Sequence, residues 1–211
     1  YSNMANVERH DFFPTCLYRF KHDFEENELN SLTKHIEDNS LSEHNGQIVK
    51  RTGSQTQNEL HKIDTFANLT KTITDVTKTI LKEQEYMGEV EITNMWGNIL
   101  RPQSQRAHAP HSHSNNFLSG VFYLKTSSNT SPIQFFDPRP QSSVFKPRKS
   151  GFNKLNSDMA EFQSETGWGV VFPSWLVHWV PETKDERISI AWNVIVRGEY
   201  GEPNTLQNAH I

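Results

Sequence analysis

Two hydrophobic periods divide this chain. Up to residue 88, apolar residues recur every three or four positions: Leu29, Leu32 and Ile36, then Phe66, Leu69, Ile73, Val76 and Ile80. Each set forms one stripe on a helix, so two helices are predicted, each needing another layer to lie on. Glu25, Glu26 and Glu28 crowd the first turn of the first helix, with Asp23 as its expected cap; Asp64 and Thr65 are expected to cap the second. A short strand is expected within residues 12–20, and the polar stretch 40–60 reads as a loop. After Gly88 the period falls to two. Val90, Ile92, Asn94, Trp96 and Asn98 alternate with Glu91, Thr93, Met95 and Gly97, the mark of a strand with one buried face. Further strands are predicted at 117–125, 133–136, 169–172 and 187–197, separated by Gly and Pro turns. Helices followed by many short strands predict an α+β chain that is mainly β: a sandwich or barrel buttressed by two N-terminal helices. We expect one domain: a helical part over 1–88, a β core over 89–197 and a loose tail over 198–211.

Composition narrows the class. The chain has 211 residues, 34% of them hydrophobic, and its thirteen Phe, five Trp and five Tyr compensate for a modest aliphatic count. A net charge of −4 with interspersed signs gives no argument for nucleic acid or an anionic membrane, although a local basic rim is not excluded. A single cysteine, Cys16, excludes an internal disulfide framework and a cysteine zinc cluster, and suits a reducing compartment. Neither an apolar run of membrane-span length nor a signal peptide is visible, so a cytoplasmic setting is expected. The chain begins at Tyr1 rather than Met, which leaves room for an upstream segment.

Candidate chemistry sits in two places. His111 and His113 are two residues apart, so in an extended chain both face one side and can reach one ion. His108 would point away from His111 in a regular strand. The alternative is a solvated His-rich turn. His178 lies inside Trp175-Leu176-Val177-His178-Trp179-Val180 and must be bonded or bound; a core histidine on a backbone carbonyl is the plainer reading. Arg187, Ser189, Ala191 and Asn193 share one face of the last strand, with Ile188, Ile190, Trp192 and Val194 on the other. That polar face either lines a cavity, where an arginine fork suits a carboxylate, or is solvated.

Together these stretches form a pattern. HSHSNNFLSGVFYL, a strand ending in DPR, GWGVVFPSWLVHWV and ERISIAWNV resemble the 2-oxoglutarate and Fe(II)-dependent oxygenases, closest to a family of uncharacterised oxygenases of bacteria and phages. The resemblance spans roughly residues 90–197. It implies a double-stranded β-helix, or jelly roll, in the cytoplasm of a bacterium or a phage-infected cell. It also implies an enzyme that uses Fe(II) and 2-oxoglutarate to hydroxylate a substrate, with succinate and carbon dioxide as coproducts. His111 and His178 match the metal histidines. Arg187 and Ser189 match the cosubstrate anchor, with Tyr123 and Asn98 as further cosubstrate candidates.

One departure stands out. The family pattern has a carboxylate where this chain has His113. We expect His113 to be the third ligand, with Asp137, or a water while His113 reaches the substrate, as the alternatives. Arg139 and Trp175 are candidate substrate contacts. A three-histidine, cupin-like dioxygenase that uses no 2-oxoglutarate, and a jelly-roll binding or structural module without enzymatic activity, are the rival readings. The expected partner is a substrate, either a protein side chain or a small molecule, and a homo-oligomer is left open.

Overall fold

The structure, a computed structural model, describes residues 5–44, 47–50, 54–102 and 107–211, with the backbone alone for 42–44 and 47–50. Tyr1 and part of the expected 40–60 loop lie outside the described residues. In chain order the elements are β1 (Tyr18–Lys21), α1 (Glu28–Asn39), β2 (Leu41–His44), β3 (Gln47–Lys50), α2 (Ala67–Glu83), β4 (Glu89–Leu100) and β5 (His108–His111). There follow β6 (Leu118–Lys125), β7 (Gln134–Phe136), β8 (Met159–Glu161), β9 (Trp168–Pro173), β10 (His178–Val180), β11 (Arg187–Arg197), β12 (Glu199–Tyr200) and β13 (Ala209–His210).

Two antiparallel sheets face each other as a jelly roll. The larger has the order β1-β9-β6-β11-β4 and the smaller β5-β10-β7-β8. The alternation in β11 decides where everything lies. Ile188, Ile190, Trp192 and Val194 pack outward under the helices with Leu32, Ile36, Phe66, Leu69 and Ile73. The opposite face of the larger sheet looks into the barrel, where Val121, Val170, Phe172 and Phe135 form a second, smaller core. Gly120 lets Trp192 lie flat on the sheet, since a Cβ there would stand 2.1 Å from its ring.

The helices differ from expectation at their starts. Asp23 does not cap α1; Asn27 stands at the N-terminus in a left-handed conformation (φ 61°) without a side-chain cap. The buried Glu28 carboxylate instead accepts from the Glu25 amide at 2.8 Å and from Asn68 Nδ2 of α2 at 2.8 Å, and meets His22 Nε2 at 2.9 Å. That cluster ties the end of β1 to both helices. Asp64 opens a 3-10 turn, Asp64–Phe66, that runs into α2. Segment 54–59, from the expected loop, lies along the outer edge of β4: Ile99 donates to Ser54, Thr56 to Gly97 and Met95 to Asn58. The segment expected to form a loose tail pairs as the β12–β13 hairpin.

Candidate metal and cosubstrate site

Each of the three histidines is held by a local device. His178 opens β10, opposite His111 of β5 on one side and Phe135 of β7 on the other. It is 3% exposed, and its Nδ1 lies 2.8 Å from the Leu176 carbonyl. A carbonyl only accepts, so Nδ1 carries the proton and Nε2 presents its lone pair. His111 is fixed in the same sense, with Nδ1 2.6 Å from the Ala109 carbonyl. His113 lies beyond the strand. Its amide donates to the Ser174 carbonyl at 2.8 Å. The Ser174 hydroxyl bonds that of Ser119 at 2.8 Å, and Ser119 donates to Asn193 Oδ1 at 2.7 Å. All three polar side chains are buried. A chain of hydrogen bonds from β11 through β6 thus fixes the loop that carries His113.

One ligand atom from each of His111, His113 and His178 lies within 4.8 Å of the others, a group that could hold a metal ion. Nε2 of His113 and Nε2 of His178 are 3.2 Å apart. Two imidazole nitrogens bound to one divalent ion at about 2.1 Å each are separated by roughly 3 Å, so the spacing fits an ion. Burial holds His113 and His178 near a pKa of about 4, with neighbouring histidines adding to the depression. Both are therefore neutral at ordinary pH, the form in which an imidazole can bind a metal.

Beside them opens a cavity of about 430 Å³ lined by His108, His111, His113, His178, Asn98, Arg187, Ser189 and, from segment 54–59, Gln55. Arg187 is 1% exposed. Its Nη1 donates to Ser189 Oγ at 2.9 Å, while Nε and Nη2 have no partner among the described residues. A buried guanidinium with two bare donors on a cavity wall fits an absent carboxylate. Tyr123 is not among the lining residues. Its ring lies under the Arg187 guanidinium at 5.0 Å, and its hydroxyl accepts from the Ile133 amide.

Other expected residues stand elsewhere. The Asp137 carboxylate is gripped by Arg139 through Nε at 3.0 Å and Nη2 at 2.7 Å. That pairing holds its pKa down at about 2. Asp137 is not in the group that could hold a metal. Arg139 lines a separate cavity, and Trp175 is 58% exposed in the turn before β10. His108, expected to point away, lines the same cavity as His111. Between them β5 takes three steps while β10 takes two, so a bulge at Ala109-Pro110 brings it round. Burial, with Arg187 and His111 beside it, lowers its pKa to about 4. Pro110 was the available signal, since proline inside a strand marks a bulge or an edge. Gln55 and Trp96 were also missed as lining residues; Trp96 shares a strand face with Asn98, which was the available signal, whereas nothing local in the sequence marks Gln55.

Comparison with known proteins fits this geometry. Among curated proteins none matches. Solved structures share the fold. AviO1 from Streptomyces viridochromogenes Tue57 superposes with a TM-score of 0.59 at 12% identity, covering 92% of this chain and 93% of its own. SnoN, a non-heme alpha-ketoglutarate-dependent epimerase from nogalamycin biosynthesis, gives 0.60 at 10% identity, covering 91% and 83%. A Pseudomonas putida prolyl-4-hydroxylase gives 0.57 at 13% identity, covering 85% and 92%. Residues 94–193 match the family described as "Putative 2OG-Fe(II) oxygenase". Over those residues, which include the three histidines and Arg187, the chain is similar to that family.

Proposed function

We propose that this chain is a hydroxylase that inserts one oxygen atom of O2 into a substrate C–H bond and the other into succinate, formed from 2-oxoglutarate with loss of carbon dioxide. The observation that carries the reading is Arg187, a buried guanidinium on the wall of the histidine cavity with Nε and Nη2 unpartnered among the described residues. Bound iron would supply the activation of dioxygen. The residues supply binding and order. His111 and His178 would hold the metal through nitrogens whose lone pairs are aimed by the backbone carbonyls at Ala109 and Leu176, and His113 would join them from the loop fixed by the Ser174 carbonyl. Arg187 takes the far carboxylate of 2-oxoglutarate, with Ser189 fixing one arm of the fork and Asn98 beside them on the same wall. Tyr123 supports the guanidinium from behind. Trp96 and Gln55 line the same cavity and are open to contact with the substrate.

His113 in place of a carboxylate favours a second reading, a three-histidine dioxygenase that does not use 2-oxoglutarate. One titration separates the two. Fe(II) is added to metal-free protein under argon, followed by 2-oxoglutarate. A saturable visible charge-transfer band supports the first reading. Iron binding with no band moves the second ahead, and absence of iron binding refutes both.

A further inference from the structure

The loop that joins β7 to β8, residues 137–158, carries charge of the opposite sign to the rest of the chain. It holds five Lys and Arg against two Asp, a net +3, whereas the remaining residues hold 16 against 23, a net −7. It also encloses its own cavity, about 360 Å³, lined among others by Arg139, Lys146, Arg148, Lys149 and the exposed Phe145. Asp137 pairs with Arg139, and Asp158 is shared by Lys146 and Lys149 at 3.0 and 3.2 Å. Two carboxylates therefore serve three cations, and positive charge is left over at the cavity wall.

Topology sets this loop beside the histidines. Phe135 of β7 is the register partner of His178. The Phe136 amide donates to the Val177 carbonyl, and Asp137 and Asp158 close the root of the loop at 3.0 Å. At about 3.3 Å per residue and about 4.8 Å between strands, that root starts within roughly 10 Å of the His178 backbone. We infer that the loop cavity docks a phosphate monoester borne by the substrate of the same active site. The inference rests on the oxygenase reading above. A phosphate monoester carries up to two negative charges and three acceptor oxygens in a compact group, which suits several convergent cations. The net −7 on the rest of the chain repels an extended phosphodiester strand, so the compact source is favoured.

The test uses the full chain, 15N-labelled, with phenyl phosphate, inorganic phosphate and decathymidylate as probes in separate titrations. Phenyl phosphate is expected to shift the amide signals of Arg148, Lys149 and Ser150 saturably. Arg148→Glu is expected to weaken that binding at least tenfold, with the thermal midpoint and the iron and 2-oxoglutarate titrations unchanged. Lys149→Ala is the second variant, expected to weaken it less. No saturable shift, equal binding by Arg148→Glu, or binding of decathymidylate alone overturns the inference. If the loop responds while the 2-oxoglutarate band is missing, the oxygenase reading fails and the anion site stands. If the band forms while the loop is silent, the anion site alone fails.

Discussion

Replacing Arg187 by Met together with Ser189 by Ala should make the free protein more stable and abolish its response to 2-oxoglutarate. Arg187 is 1% exposed, with two donors lacking a partner among the described residues. Each bare buried donor costs about 1–3 kcal/mol. The bond to Ser189 recovers about 1.5 kcal/mol and the face of Tyr123 about 1 kcal/mol. At about 2 kcal/mol for each donor, the middle of that range, a net cost of about 1–2 kcal/mol remains without the cosubstrate. The double change removes the charge, follows the arginine stem with a similar apolar chain, and leaves no hydroxyl unpaired. For a chain of this size the melting midpoint should rise by about 2–8 °C. With metal supplied, 2-oxoglutarate at one hundred times its Kd should stabilise the unsubstituted protein by about 2.7 kcal/mol and the variant by nothing. Differential scanning calorimetry with and without 2-oxoglutarate reads both effects. A variant that melts below the unsubstituted protein, and still gains stability from 2-oxoglutarate, would refute the reasoning.

Two further changes probe the supports of the site and of the fold. Ser119→Ala breaks the hydrogen-bond chain that ends at the His113 loop and should lower Co(II) affinity about tenfold, read from the visible spectrum; a lower melting point with unchanged metal affinity would make the chain merely structural. Burial raises the Glu28 pKa, but the Glu25 amide, His22 and Asn68 outweigh it and hold it below its ordinary 4.5. A lowered folded pKa contributes stability above about pH 4.5 that is lost as pH falls through the folded value. Glu28→Gln should therefore be less stable near neutral pH and show a flatter loss in acid, measured as urea midpoints between about pH 3 and 7.

The long strands were legible because their alternation is strict. β11 runs from Arg187 to Arg197, the span its pattern predicts, and its two faces divide into helix-covered core and barrel interior. The histidines and Arg187 were legible only as a joint pattern, since each alone has an ordinary structural explanation. What escaped reading depends on distant partners. β5 and β10 are too short to show a period and exist because they pair with each other. The placing of His108 depends on a bulge, and that of Gln55 on segment 54–59 pairing along β4. Asp137, weighed as a ligand from its place after a strand, turned out to be engaged by Arg139 two residues on. The missing α1 cap has the same cause: Glu28 is satisfied by His22 and Asn68, the latter forty residues away.

The position of β11 also bears on how the molecule comes into being. It is the last long strand to be synthesised, yet it lies between β6 and β4 in the larger sheet. Until the ribosome has released residue 197, β4 and β6 have no common neighbour, and the helices have only part of the surface they cover. The sheet must then close by contacts distant in sequence, which makes folding slow and late. Arg187 and His178 arrive in the same final stretch. A nascent chain stalled before that point would present unpaired strand edges to its surroundings, and a chaperone would find its strongest claim there.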